Sequence, residues 1–379
     1  TISDQSLCNG ASTSAIHFTS PNTGGSTVYN WTNSVPAIGL PASGTGDIAP
    51  FAAINNGTAP LIATITVTPT FTNSGSPSSA CVGTPITFTI TVNPTPKLSS
   101  SLTPPAICNN TTFSYNPTSA TSGVTFNWSR AVVAGISNAA ASGTGNPNET
   151  LNNTTPNPVS VIYVYTLSGN GCSNTQNVTV VVNPTPVLSS SLTPPDVCSN
   201  SSFNYTPASL TSGTTFTWTR ATVPGISNGA SSGSGNINET LINTSGAPIN
   251  VTYVYTLTAN GCSNTQNVVV KVNPTVTIAP LTQEVCNNTP ISTINISGLP
   301  AGAITSWTRT SPPGIASSDI PTSGSGAITG TFVNSTTASI NVTFTLNATA
   351  GNGCVTSSTA VVTVDAPLVA PVVSKDQFV

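Results

Sequence analysis

The residues of this chain that could do chemistry are few: eight cysteines, three arginines, three glutamates, six aspartates and one histidine. Cysteine is the most telling of them. The cysteines fall as Cys8 with Cys81, Cys108 with Cys172, Cys198 with Cys262, and Cys286 with Cys354. Zinc would want Cys-x-x-Cys spacing or a second ligand type, and neither is present. Eight cysteines allow 105 disulfide connectivities. One bridge within each of these couples is the simplest and is the expected pattern, with an oxidising compartment as its consequence. Such a bridge would staple the start of a domain to its final hairpin. Closing a loop of that size is worth roughly 4 kcal/mol in the chain-entropy model.

The charged residues point to packing. Arg130, Arg220 and Arg309 each stand two residues after a tryptophan, while Glu149 and Glu239 stand two before Leu151 and Leu241. Each Arg therefore shares the Trp face of a strand, and each Glu the Leu face. Structural ion pairs, Arg130 with Glu149 and Arg220 with Glu239, are expected. The first repeat has Asn33 and Pro50 in these places, and the fourth keeps Arg309 but has Gly330 instead of Glu. His17 has no counterpart elsewhere and is read as a surface side chain. A lone carboxylate beside an Arg offers no catalytic group, so the expectation is no enzyme, no metal and no cofactor.

Those residues are positioned by repeats. Val92-Asn93-Pro94-Thr95-Pro96 returns as Val182-Asn183-Pro184-Thr185-Pro186 and as Val272-Asn273-Pro274-Thr275-Val276. The period of ~90 residues is that of a whole domain rather than a solenoid unit. Each unit has one tryptophan (Trp31, Trp128, Trp218, Trp307), expected in the core, followed by a Ser-Gly-Thr/Ser-Gly segment read as a turn. In the third unit Ile249, Val251, Tyr253, Tyr255 and Leu257 alternate with mostly polar neighbours, which marks a half-buried strand. Asn260-Gly261 is a hairpin turn, and Val268 to Val272 forms the partner strand. Further strands are expected at Phe203–Tyr205, Thr215–Thr219 and Glu239–Ile242. About seven short strands per unit indicate an antiparallel sandwich of the immunoglobulin-like kind. The domains are 1–94, 95–184, 185–274 and 275–366, with 367–379 a linker and the start of a fifth repeat.

Composition narrows the partners. Of 379 residues only six are Lys or Arg and nine Asp or Glu, too few cations to follow a phosphate backbone. Ser, Thr and Asn interrupt every apolar run before it could span a membrane. Thr1 opens without a basic and apolar leader, so any secretion signal is removed or lies outside the segment.

Several strings together resemble a known family: Thr-Phe-x-Trp-(Ser/Thr)-Arg-Ala, Gly-Ile-Ser-Asn, Asn-Glu-Thr-Leu, Val-Tyr-Val-Tyr-Thr-Leu and Asn-Gly-Cys-Ser-Asn-Thr-Gln-Asn-Val. They are similar to the PKD-like, immunoglobulin-like repeats of giant surface adhesins of the Bacteroidota. Units two and three carry the resemblance along their whole length, and units one and four through the Trp, the Cys couple, the Ser-Gly segment and the last hairpin. The resemblance implies an extracellular cell-surface location, export by the type IX system, and adhesion, including that of gliding cells.

The expected architecture is all-β: four tandem sandwiches in an extended rod with stiff, proline-set junctions. The expected role is a stalk in an adhesin or surface fibre. Its partners would be further repeats of the same polypeptide, and a surface or polysaccharide ligand bound through another domain. Two other readings stay open, a glycan- or matrix-binding array and a self-assembling filament subunit associating laterally through its strands. Finally, Ser374-Lys375-Asp376-Gln377-Phe378-Val379 aligns with Ile2 to Leu7, so position 380 of a longer parent is expected to be a cysteine opening a fifth domain.

Overall fold

The computed structural model describes residues 2–275, 281–296, 303–351 and 353–368. The chain is all-β, and Pro36–Ile38 is a single 3-10 turn among the described residues. Repeat three shows how the sequence produces the layers. Threonine, valine, isoleucine and tyrosine dominate its long strands, and these branched and aromatic side chains suit a pleated surface. Strands Ile249–Ala259 and Cys262–Asn273 form the central hairpin, and Asn260-Gly261 turns it with φ of 50° and 78° at the two residues. Both residues of such a tight turn need positive φ, which Asn and Gly tolerate best. Thr215–Arg220 pairs with the hairpin on one side, and Ser231–Ser234 forms the edge beyond it. On the other side Val197–Cys198 runs parallel to the last strand, Cys198 lying opposite Asn273. A second, two-stranded layer pairs Ser201–Tyr205 with Ile237–Leu241.

Between the layers Tyr253, Tyr255, Leu257, Val268, Val270 and Val272 are fully buried with Phe203 and Trp218. The alternation of residues 249–258 thus has its apolar parity facing inward. The same plan recurs in repeat two. In repeat one the facing layer is reduced to the isolated bridges Ser12–Ala52 and Ile16–Ile48, and in repeat four to isolated bridges beside a two-residue pairing of Ile315–Ala316 with Val333–Asn334. Each repeat has its own core. The Ser-Gly segments are edge strands where a turn was expected, because their first glycine sits directly opposite the tryptophan. Gly143 faces Trp128 and Gly233 faces Trp218 in register. A Cβ on Gly233 would lie 2.7 Å from the Trp218 ring. The indole needs that space, so the motif is a seat for the tryptophan, and the turn follows at Gly145 and Gly235.

By contact density the chain divides into Thr1–Thr185 with Asn260–Cys262, and Pro186–Ala259 with Ser263–Val379. The three residues 260–262 group with the first unit because Cys262 is bonded to Cys108.

Candidate functional site

The cysteines do not pair within repeats. The bridges are Cys8–Cys172, Cys108–Cys262 and Cys198–Cys354, while Cys81 and Cys286 are exposed free thiols. The expected couples Cys8 with Cys81, Cys108 with Cys172, Cys198 with Cys262, and Cys286 with Cys354 are therefore corrected. The reason is strand direction. In repeat two, Ile107–Cys108 runs parallel to the last strand and brings Cys108 opposite Asn183, where that strand ends. Cys172 opens the same 12-residue strand. The two thus stand at opposite ends of roughly 37 Å of β-strand, at about 3.4 Å per residue. A disulfide needs Cα atoms within about 7 Å. Each bridged pair here has Cα atoms 5.7 Å apart. The first cysteine of one repeat therefore meets the hairpin-tip cysteine of the next.

A polar anchor holds each first cysteine in place. The residue after it donates its backbone N–H to the end of the last strand: Asn9 to Asn93, Asn109 to Asn183, Ser199 to Asn273. Its side-chain oxygen accepts from the N–H of a buried asparagine: Asn9 from Asn55, Asn109 from Asn153, Ser199 from Asn243, Asn287 from Asn334. That buried asparagine in turn donates to the carbonyl of Val92, Val182, Val272 or Val364. Asn55, Asn153, Asn243 and Asn334 escaped the sequence reading. Their signal is a fixed position two residues after Ala53, Leu151, Leu241 and Phe332. Side-chain amides also tie the second repeat's hairpin to the junction before it. Asn93 donates to the Asn170 carbonyl at 2.9 Å, and Asn174 donates to that of Pro96 at 3.0 Å.

The Arg–Glu residues come together inside repeats two and three. Arg130 donates from Nε and Nη2 to Glu149 at 2.9 and 2.8 Å, and Nη2 also reaches the Ala139 carbonyl. Arg220 repeats the fork on Glu239 at 2.9 and 3.3 Å. The two guanidinium groups are buried. The Tyr163 and Tyr253 hydroxyls donate to the same carboxylates at 2.7 and 2.5 Å. The hydrogen bonds from Arg130 hold Glu149 below the usual carboxylate range. Burial alone would raise Glu239, but the donors Arg220 and Tyr253 outweigh it and its pKa also falls. Burial and the neighbouring carboxylate push both tyrosines far up. Repeat four lacks the carboxylate and also the hydroxyl, since Phe344 replaces the tyrosine. Arg309 there donates to the Ile320 and Pro321 carbonyls and lies 5.3 Å from the Phe332 ring centre. In repeat one Asn33 takes the Arg position and donates to the Leu40 carbonyl.

Trp31, Trp128, Trp218 and Trp307 are all buried core residues. His17 lies on the surface, 2.7 Å from Asp47, away from both the bridges and the Arg–Glu pairs. Among the described residues no cluster of three His, Cys, Asp or Glu side chains could hold a metal ion. No described helix is long and apolar enough to cross a membrane. The bridges Cys8–Cys172, Cys108–Cys262 and Cys198–Cys354 cross-link neighbouring repeats.

The family described as PKD-like domain matches residues 105–186 and 195–276. Repeats two and three carry the PKD-like domain. The two PKD-like segments contain both Arg–Glu pairs and the ends of the Cys108–Cys262 bridge. A comparison with curated protein sequences gives no match. Among solved structures, the I67–I69 fragment of titin is 12% identical with a TM-score of 0.35, covering 71% of this chain and 98% of its own. Mouse cadherin-23 EC22-24 is 13% identical with a TM-score of 0.31, over 72% and 95%. Drosophila N-cadherin EC1-4 is 10% identical with a TM-score of 0.24, over 96% and 99%.

Proposed function

We propose that this chain is a force-bearing stalk segment of an extracellular adhesin or surface fibre, with no catalytic role. The carrying observation is the staggered bridging of each repeat to the next. Between Cys8 and Cys354 the shortest covalent route crosses to Cys172, follows the backbone to Cys198, and crosses again. Tension applied between those ends bypasses most of the backbone, so no repeat can unravel to its full length while the bridges are intact. Such a device suits a tether that carries tension between its ends. Placement on the cell surface of a gliding bacterium, with export by the type IX system, is supported by the sequence resemblance given above.

Single-molecule force extension tests the stalk reading. At about 3.5 Å per residue the oxidised path from Cys8 to Cys354 is limited to ~100 Å, and the reduced path to ~1,200 Å. A large rise in extension on adding reductant is expected. Stepwise unfolding of whole repeats in the oxidised chain would overturn the reading.

A further inference from the structure

Cys286 and Cys81 are the two cysteines outside the bridges, and both occupy positions that are bridged in the other repeats. Cys286 follows Leu281–Val285, which runs parallel to Val355–Val364 just as the Cys8, Cys108 and Cys198 strands run parallel to theirs. Asn287 accepts from the N–H of Asn334 at 2.7 Å, repeating the anchor of the three bridged sites. Beside the Cys286 thiol is an open cavity of about 380 Å³, lined by Asn287, Asp365, Ala366, Pro367 and Leu368. Pro94, Pro184 and Pro274 are buried in the earlier repeats, whereas Ala366 in their place is half-buried. Pro96 and Pro186 are buried, whereas Leu368 in their place is exposed. At the other end Cys81 pairs with Phe71 at the ladder position where Cys172 pairs with Gly169. It is a hairpin cysteine of the kind that bonds a preceding repeat.

We propose that Cys286 and Cys81 are the open ends of the same disulfide ladder. Cys286 bonds the hairpin-tip cysteine of a PKD-like domain that follows in the same polypeptide, and Cys81 bonds the strand-end cysteine of one that precedes. The evidence for a partner is internal. Three structural copies of the Cys286 site are each bonded to the next hairpin in this chain. Each new bond joins two thiols with loss of two protons and two electrons. An oxidoreductase disulfide takes them up by thiol–disulfide exchange and leaves as a dithiol. The inference rests on the stalk reading and extends it, making the ladder continuous along the fibre.

Peptide mapping of the native surface protein under non-reducing conditions, with thiols alkylated before lysis, tests this. The expected result links the Cys286 peptide to a hairpin peptide of another repeat, and the Cys81 peptide to a strand-end peptide of another. Alkylated Cys286, a small-thiol adduct on it, or a Cys286–Cys81 link between copies would each overturn the proposal. Cys286→Ser in the native protein should expose one new alkylatable thiol, on the following hairpin, and none appearing would also overturn it. Failure of the force experiment would remove the stalk reading while leaving this bond map intact.

Discussion

The Glu239 carboxylate accepts from Arg220 and Tyr253 at once, so its removal strands two buried donors. Glu239→Gln should cost repeat three about 1–3 kcal/mol, because a buried guanidinium keeps its charge and loses its counter-ion. Denaturant unfolding of the variant measures it, and a change within about 0.3 kcal/mol would show that the fork contributes little. Repeat four is the natural control: with Phe344 in the tyrosine position, Arg309 is served by carbonyls. The pH dependence follows the same logic. Glu149 and Glu239 have folded pKa values below their ordinary range, so their contribution is complete above the unfolded value of about 4.3. It is lost as pH falls through the lower folded value. The stability gap between the wild type and a Glu149→Gln, Glu239→Gln double variant should therefore close below about pH 4. A gap that stays constant into acid would contradict the assignment.

The edge strands are shaped by their glycines. Gly233 leaves the Trp218 ring room to lie flat across its strand, and an added Cβ there must displace the indole or the edge. Gly233→Ala should destabilise by about 1–3 kcal/mol, typical of overpacking, with a change in tryptophan fluorescence. Gly229→Ala has open space around it and should change neither. The buried asparagines act at the same scale. Asn243 donates to Val272 and Ala247 and accepts from the N–H of Ser245. Asn243→Ala leaves those backbone groups without partners and should cost about 2–3 kcal/mol in thermal or urea unfolding. A neutral result would mean that water replaces the amide readily.

Covalent topology governs the behaviour of the complete chain. Each bridge closes a loop of more than 150 residues, worth roughly 5 kcal/mol in the chain-entropy model. Under tension the three bridges are not equivalent. Cys198→Ser forces the route from Cys172 back to Cys108, across to Cys262 and on to Cys354, which raises the oxidised extension limit from ~100 to ~550 Å. Cys108→Ser leaves the shortest route untouched and should leave the limit at ~100 Å. Force extension of the two variants distinguishes this topology from any set of bridges confined to single repeats, in which every loss would lengthen the chain.

Local chemistry made much of this protein legible in its sequence. The alternation of Ile249 to Leu257 could serve only a strand with one buried face, and Asn260-Gly261 only a tight hairpin. The placing of Arg220 and Glu239 two residues from Trp218 and Leu241 put both charges on inward parity. Each of these follows from a period of two or from a single backbone conformation. The role of Gly143 and Gly233 was not legible, because a glycine opposite a tryptophan matters only once register places them together. The buried asparagines were hidden for a related reason, among many other asparagines whose environment the sequence does not specify. The disulfide partners depended on the parallel pairing of the first and last strands, a long-range feature. That pairing carries the first cysteine to the far end of its repeat, about one strand length from the cysteine nearest it in the repeat pattern, and into reach of the next hairpin.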